Sequence, residues 1–162
     1  KERALNNTQS PELISLELAE AKAKFIADRH PDSIIIGCDQ LLCLDGKIYD
    51  KPTNLNEAVS HLHAFRSRTH KLIAGVVIIK GGDLIWSHVD EANMEVRDLS
   101  DNFIDSYIMS EGENLMSSVG AYRLEGLGAQ IFKRIDGDYF TILGLPLLPL
   151  LEELRNQGVL DH

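Results

Sequence analysis

The chain is poor in cysteine, in basic clusters and in long apolar runs, and each of these absences excludes a class of protein. Its two cysteines, Cys38 and Cys43, fall at an odd offset on opposite faces of a strand, so we expect no disulfide. A formal net charge of −9 without a lysine or arginine cluster leaves no basic stripe, and we expect no nucleic acid polymer as a partner. No apolar run is long enough to span a bilayer. We therefore expect a cytoplasmic protein with no membrane partner.

Common metal-binding and nucleotide-binding motifs are also missing. The chain has six histidines, but His61 and His63 lie two apart on a predicted helix and point in different directions. HExxH, CxxC and Cys/His clusters do not occur, so we expect no zinc site. The Walker loop, a GxGxxG after a strand and the GxSxG elbow are absent as well. A small phosphorylated ligand is not excluded, since it needs only two or three well-placed cations.

Apolar periodicity and turn residues predict one α/β domain over residues 1–162, with a mixed central sheet flanked by helices. The predicted helices run from Ser10-Pro11 to about residue 30, from Thr53 or Asn54 to about residue 66, from Ser100-Asp101 onward, and from Pro146 or Pro149 to about residue 156. The predicted strands are 34–44, 47–49, 70–80, 84–97, 129–135 and 139–143.

Asp39 interrupts the apolar run of residues 34–44. An ionised carboxylate is costly in such a strand unless it is paired or bound to a metal. Leu41 and Leu42 continue the apolar run, which indicates that the strand passes Asp39 and favours a general base or a metal ligand. The alternative is that Asp39 ends the buried part of the strand and caps or turns the chain.

Lys22 is the first candidate cation. It falls within an apolar stripe at helical spacing, formed by Ile14, Leu18, Ala21 and Phe25. Two interpretations fit this position: an ammonium that faces a phosphate, or a lysine whose stem covers apolar surface while its amine reaches water.

Lys51 and Glu125 are weaker candidates for ligand contacts. Pro52 forces an extended backbone at Lys51, at the exit of a predicted strand where ligand groups often gather. Glu125 lies in a glycine-rich block between Leu124 and Gly126. This position fits a loop that closes on a ligand or recognises the edge of a base, and it equally fits a tight connection with an exposed glutamate.

Several short motifs resemble, in their order and spacing, those of the Maf family of nucleoside triphosphate pyrophosphatases. They are Leu18-Ala19-x-x-Lys22-Ala23, Gly37-Cys38-Asp39-Gln40, Lys51-Pro52, Arg68-Thr69-His70 with Gly75-Val76, and residues 120–126 with 144–147. Each motif is short, but together they cover nearly the whole chain. The resemblance implies an elongated sheet of the kind found in inosine triphosphate pyrophosphatases, and a homodimer.

The same resemblance implies hydrolysis of a non-standard or modified nucleoside triphosphate to the monophosphate and pyrophosphate. By carry-over, Asp39 would activate the attacking water, while Lys22 and Lys51 would hold phosphate oxygens. A divalent cation, Mg²⁺ or Mn²⁺, would be held by Asp39 and Glu2. The rival hypothesis is a non-catalytic regulator of septum formation, or a nucleotide-binding module, on the same fold.

The sequence departs from the family pattern at informative positions. The family opens with a strand and a Ser-x-x-Arg-Arg phosphate-binding loop; we expect these to be missing here, by truncation, by disorder or by natural loss. Gln40 stands where many members have threonine, and Glu125 where many have glutamine. The combination of Asp39-Gln40 with Glu125-Gly-Leu-Gly looks more like the 7-methyl-GTP branch than the dTTP/UTP branch. A carboxylate at Glu125 could accept hydrogen bonds from guanine N1–H and N2–H₂, which a thymine or uracil edge cannot offer twice.

Overall fold

The structure is a computed structural model that describes residues 9–161. These residues divide into two compact units. Among the described residues, the first unit comprises 9–40, 73–91 and 137–161, and the second comprises Leu41–Leu72 and Ala92–Asp136. Three strands contribute residues to both units. In the described part of the chain, no helix is both long and apolar enough to span a membrane.

Helices and short 3₁₀ turns alternate with the strands of a single sheet. The helices are α1 (Pro11–Ala27), α2 (Leu55–Phe65), α3 (Asp101–Glu111), α4 (Tyr139–Leu143) and α5 (Leu147–Asn156). The strands are β1 (Ile34–Leu44), β2 (Lys47–Tyr49), β3 (Thr69–Lys80), β4 (Asp83–Val96) and β5 (Phe132–Asp136). Three 3₁₀ turns cover Gly112–Ser117, Val119–Ala121 and Leu127–Ile131.

The sheet has the order β2-β1-β3-β4-β5. Leu42 pairs with Tyr49 and Asn93 with Asp136 in antiparallel register, and the Gly81-Gly82 hairpin joins β3 to β4. The predicted α/β domain with a central sheet flanked by helices is confirmed. The sheet is antiparallel, where a mixed sheet was predicted, because hairpins rather than crossover helices connect several neighbouring strands.

Helix α1 packs through its small residues on the strands of the first unit. Ser10 Oγ caps the helix by accepting a hydrogen bond from Leu13 N. A Cβ added to Gly37 would come within 2.7 Å of Ala23 Cβ, and one added to Gly75 within 2.7 Å of Ser15 Oγ. The two glycines therefore let the helix approach the sheet more closely than any side chain would permit.

This close approach corrects the predicted buried face of α1. The stripe that includes Leu18, Ala21 and Phe25 is not the core face, since Leu18 is half-buried and Phe25 is 59% exposed. The buried face instead carries Ser15, Ala19, Ala23 and Ala27, and Ile14 is the one stripe residue that is buried with them. Small residues are selected there because the helix backbone lies against strand glycines, a constraint that hydrophobicity alone does not reveal.

Helix α4 replaces the strand predicted over residues 139–143, which was wrong. Asp138 Oδ1 accepts hydrogen bonds from Phe140 N at 2.9 Å and Thr141 N at 3.1 Å, which starts a helix. Gly144 ends it in the left-handed region at φ 111°. The capping residues thus override the β propensity of the short apolar segment. The preceding strand also begins later than predicted, at Phe132, after the 3₁₀ turn Leu127–Ile131.

The core of the second unit contains a buried histidine among aromatic rings. His70 is 1% exposed, and its ring centroid lies 5.0 Å from that of Phe65 and 6.1 Å from that of Phe132. His70 Nε2 lies 2.7 Å from Tyr122 Oη. Burial lowers the pKa of His70 to about 4 because the charged imidazolium is poorly solvated there.

We predict that Gly37→Ala destabilises the fold by about 1–3 kcal/mol, the range for inserting a methyl group into a packed core. The added Cβ would collide with the backbone of Ala19 as well as with Ala23 Cβ, so a rotamer change cannot relieve the clash. Ile36→Val, at a 44% exposed neighbouring position, should cost less than about 1 kcal/mol. Urea unfolding measures both values, and an unchanged free energy of unfolding for Gly37→Ala would contradict the packing.

The buried His70 should make stability sensitive to mild acid. The pKa of His70 in the folded protein lies below the ordinary value of 6.5, so the unfolded chain binds a proton at a higher pH than the folded one. The contribution of neutral His70 to the free energy of unfolding is therefore complete above about pH 6.5 and is lost as the pH falls toward 4. Between pH 7 and pH 5 the loss should be about 2 kcal/mol. His70→Gln should show a correspondingly smaller decrease in the free energy of unfolding over the same interval. Equal pH dependence of the two proteins would contradict this account.

Candidate active site

Asp39 and Lys22 form the charged centre of the first unit. Asp39 is 8% exposed in the middle of β1, and its Oδ1 accepts a hydrogen bond from Lys22 Nζ. Lys22 Nζ also donates to the carbonyl oxygen of Cys38 at 3.0 Å. The strand continues to Leu44, so Asp39 neither caps nor turns the chain.

The packing of α1 on β1 brings these two side chains together. Residues 37 and 39 share one face of the strand, since side chains alternate along β1. Ala23 lies against Gly37, and Lys22 is its neighbour on the helix. The lysine side chain is 58% exposed while that of Asp39 is 9% exposed, so the amine reaches inward from the surface to a buried acid.

One oxygen of Asp39 is left without a partner. Oδ2 is buried and makes no hydrogen bond within residues 9–161. Buried polar atoms are nearly always satisfied in folded proteins, and an exception requires an explanation such as a bound water, ion or ligand. The carboxylate therefore has one oxygen occupied by an ammonium and one available to accept a proton or to coordinate a cation.

A cavity of about 610 Å³ opens beside this pair. Asp39 and Lys22 supply its polar groups, and its remaining lining is apolar: Leu18, Ala21, Phe25 and Ile26. Leu18, Ala21 and Phe25, three of the four residues of the apolar stripe identified in the sequence, thus line the cavity. A mostly apolar cavity with a few convergent polar groups is typical of a small-molecule site.

The opposite face of β1 is anchored to helix α4. Gln40 Nε2 donates to the carbonyl oxygens of Thr141 at 2.8 Å and Ile142 at 3.1 Å. Cys38 Sγ donates to the Gly144 carbonyl oxygen at 2.8 Å, and burial raises the pKa of the Cys38 thiol to about 11. The residues before and after Asp39 thus fix the strand to helix α4 and its C-terminal cap by hydrogen bonds.

The anchoring role of Gln40 was missed by sequence reasoning, which noted this residue only as a departure from the family pattern. The signal that could have found it is the alternation of β1: residues 38 and 40 must face away from Asp39.

Both cysteines are free, as expected.

The other predicted site residues belong to different parts of the chain. Lys51 is exposed between β2 and the buried Pro52, in the second unit. Glu125 is exposed in the same unit, on a tight turn that Gly126 N closes by donating to Arg123 O at 3.1 Å. This turn fits both interpretations of Glu125, a residue that meets a ligand and a tight connection with an exposed glutamate, so its role stays a prediction. Glu2 lies outside the described residues.

The chain offers few groups for a metal ion on its own. Within residues 9–161, no three His, Cys, Asp or Glu side chains are grouped in a way that could hold one. His61 is buried and His63 exposed, which agrees with their expected divergence on α2. Asp39 Oδ2 remains the single unsatisfied buried carboxylate oxygen among the described residues.

Comparison with known proteins adds a family match and a set of related sequences. Residues 1–157 match the family model described as Maf-like protein. A 7-methyl-GTP pyrophosphatase from Rhizobium meliloti (strain 1021) is 49% identical over 152 residues, which cover 94% of this chain and 76% of the relative. A nucleoside triphosphate pyrophosphatase from Paramagnetospirillum magneticum is 44% identical over 153 residues, covering 94% of this chain and 79% of the relative.

A third relative has the same name as the first. The 7-methyl-GTP pyrophosphatase from Brucella suis biovar 1 is 47% identical over 152 residues, which cover 94% of this chain and 76% of the relative.

Proposed function

The chain belongs to the Maf family, and on that premise we propose that it is a nucleoside triphosphate pyrophosphatase. Relatives with 44–49% identity carry this activity in their names. The observation that supports the proposal most directly is the Lys22–Asp39 pair with its unsatisfied Oδ2. A buried carboxylate beside a cation and a cavity has the composition of a general base for an anionic substrate.

The proposed reaction is an in-line attack of water on the α-phosphorus. Asp39 Oδ2 accepts a proton from the water as its oxygen bonds to phosphorus, and the bond between the α-phosphorus and the bridging oxygen breaks. The products are the nucleoside monophosphate and pyrophosphate, and the proton on Asp39 then returns to solvent. Phosphoryl transfer of this kind depends on positioning and charge neutralisation more than on covalent chemistry.

Lys22 has two roles in this proposal. In the free protein its ammonium pairs with Asp39 Oδ1 and leaves Oδ2 as the oxygen that can act as the base. The Lys22 side chain is 58% exposed, so its ammonium is also available to a phosphate oxygen of the bound nucleotide. We assign Lys51 to a second phosphate contact on the basis of the family motif alone.

The described part of the first unit offers one carboxylate, Asp39, that could hold a divalent cation, provided that the nucleotide supplies most of the other ligands. Mg²⁺ is commonly held by one or two carboxylates together with substrate phosphates and water, and the Asp39 carboxylate, which has an unsatisfied oxygen, is a hard donor group of the required type. We propose Asp39 as the chain's ligand through Oδ1, which becomes available when Lys22 turns to a phosphate oxygen, so that Oδ2 keeps its role as the base. Glu2 is a second ligand by family resemblance. When bound, the cation supplies neutralisation of the triphosphate charge.

We further propose 7-methyl-GTP as the favoured substrate and Glu125 as the residue that recognises the base. The relatives from Rhizobium meliloti and Brucella suis are named for that nucleotide. Glu125 has no hydrogen bond or ion pair to any described residue, so its carboxylate is free to accept two hydrogen bonds from a guanine edge.

The test is pyrophosphate release by the full-length protein from 7-methyl-GTP, GTP, dTTP and UTP, with Mg²⁺ or Mn²⁺. Asp39→Asn keeps the shape of the side chain but removes the base, so kcat should fall by about 10²–10⁴-fold. Asp83→Asn, at an exposed position on β4, is the matched control and should keep wild-type turnover. The favoured nucleotide should be 7-methyl-GTP.

Three results would contradict parts of this proposal. Turnover that survives Asp39→Asn would exclude Asp39 as the base, and a preference for dTTP or UTP would exclude the assigned substrate. No turnover by well-folded protein would exclude the enzyme, and nucleotide binding under those conditions would favour a binding module instead.

A further inference from the structure

His70 and Tyr122 form a buried polar contact that the proposed reaction does not use. They are 1% and 4% exposed, and His70 Nε2 lies 2.7 Å from Tyr122 Oη. His70 Nδ1 is buried and has no partner among the described residues. A core selected for stability alone would do better with two apolar rings, because each unsatisfied buried nitrogen is destabilising. The hydrogen bond does, however, fix the position of Tyr122 Oη and so the direction of its side chain. Apolar packing is not directional and would not do this.

Tyr122 directly follows a strained backbone segment of the second unit. Gly120 and Ala121 both have positive φ values, 82° and 58°, and alanine is strained by about 1–2 kcal/mol in that region. A Cβ on Gly120 would lie 2.6 Å from Leu42 Cδ1 and from Tyr122 Cε1. Such a conformation persists only where its surroundings hold it, and here the Tyr122 ring is part of those surroundings.

The turn that carries Glu125 begins directly after Tyr122. Gly126 N donates to Arg123 O at 3.1 Å, and Ser118 Oγ donates to Tyr122 O at 2.7 Å. The chain then folds back, since a Cβ on Gly128 would lie 2.8 Å from Arg123 N. The turn is therefore built on the backbone of residues 122 and 123, and the anchored Tyr122 side chain determines where it starts.

We propose that His70 and Tyr122 are positioning residues that hold the Glu125 turn in place and thereby set the base preference of the enzyme. This inference rests on the proposed function, in which Glu125 recognises the base. The hydrogen bond acts through the backbone of residues 120–126, and neither side chain contacts the nucleotide.

The test combines amide hydrogen exchange with substrate selectivity. Tyr122→Phe removes the hydroxyl group but leaves His70 Nε2 unsatisfied, so it also destabilises the core. The double variant His70→Phe/Tyr122→Phe replaces both partners by apolar rings and separates positioning from stability. Tyr49→Phe is the matched control: Tyr49 contacts Phe65 in the same unit, with ring centroids 5.0 Å apart, and its hydroxyl group has no partner among the described residues.

In both Tyr122 variants, the Gly126 amide should exchange faster than in wild type. The ratio of kcat/KM for 7-methyl-GTP to that for dTTP should fall by roughly ten- to hundredfold, the effect of a misplacement of about 1 Å. Tyr49→Phe should change neither quantity. A purely structural role would instead lower kcat/KM for both nucleotides together and leave their ratio unchanged.

The inference is overturned if the double variant folds and keeps the wild-type ratio, or if exchange at Gly126 is unaffected. A wild-type protein that shows turnover without preferring 7-methyl-GTP would refute the base assignment to Glu125, and with it the selectivity half of the inference. The exchange measurement would still decide whether the His70–Tyr122 contact holds the turn.

Discussion

The close approach of helix α1 to strand β1 is the constraint on which the candidate site depends. Gly37 has no Cβ, so Ala23 packs directly against the strand. Lys22 precedes Ala23 on the helix, and Asp39 lies on the same strand face as Gly37, so the amine reaches the carboxylate. A larger residue at position 37 would move the helix outward and separate the pair. The geometry of the charges is thus a consequence of packing between small residues.

The two faces of β1 make different contacts around Asp39. On one face the carboxylate meets Lys22 and the apolar cavity. On the other, Gln40 and Cys38 bind the end of α4. Desolvating a carboxylate is costly unless it is paired and hydrogen-bonded, and here only Oδ1 is satisfied by described residues. The strand and the helix hold the remaining oxygen in place, and it has no partner among residues 9–161.

Sequence patterns predicted most of the fold and the identity of the central acid. Polar interruption of an apolar run identified Asp39, and the ends of β1 follow directly from that run. The patterns mispredicted the secondary structure where helix capping outweighed apolar periodicity. Asp138 and Gly144 cap a helix in a segment that has strand propensity. The patterns also misassigned the face of α1, since small residues under a close contact leave no hydrophobic signal. The partner of Asp39 was predicted only as a separate phosphate contact.

The most direct test of the central claim is a crystal structure of the Asp39→Asn variant with its best substrate and Mg²⁺ bound. Our account predicts an intact triphosphate whose α-phosphorus faces the side chain of residue 39, with one water within hydrogen-bonding distance, about 2.6–3.2 Å, of the amide. Lys22, released from its carboxylate partner, should contact a phosphate oxygen. A nucleotide bound with its α-phosphorus remote from residue 39 would contradict the assignment of Asp39 as the base.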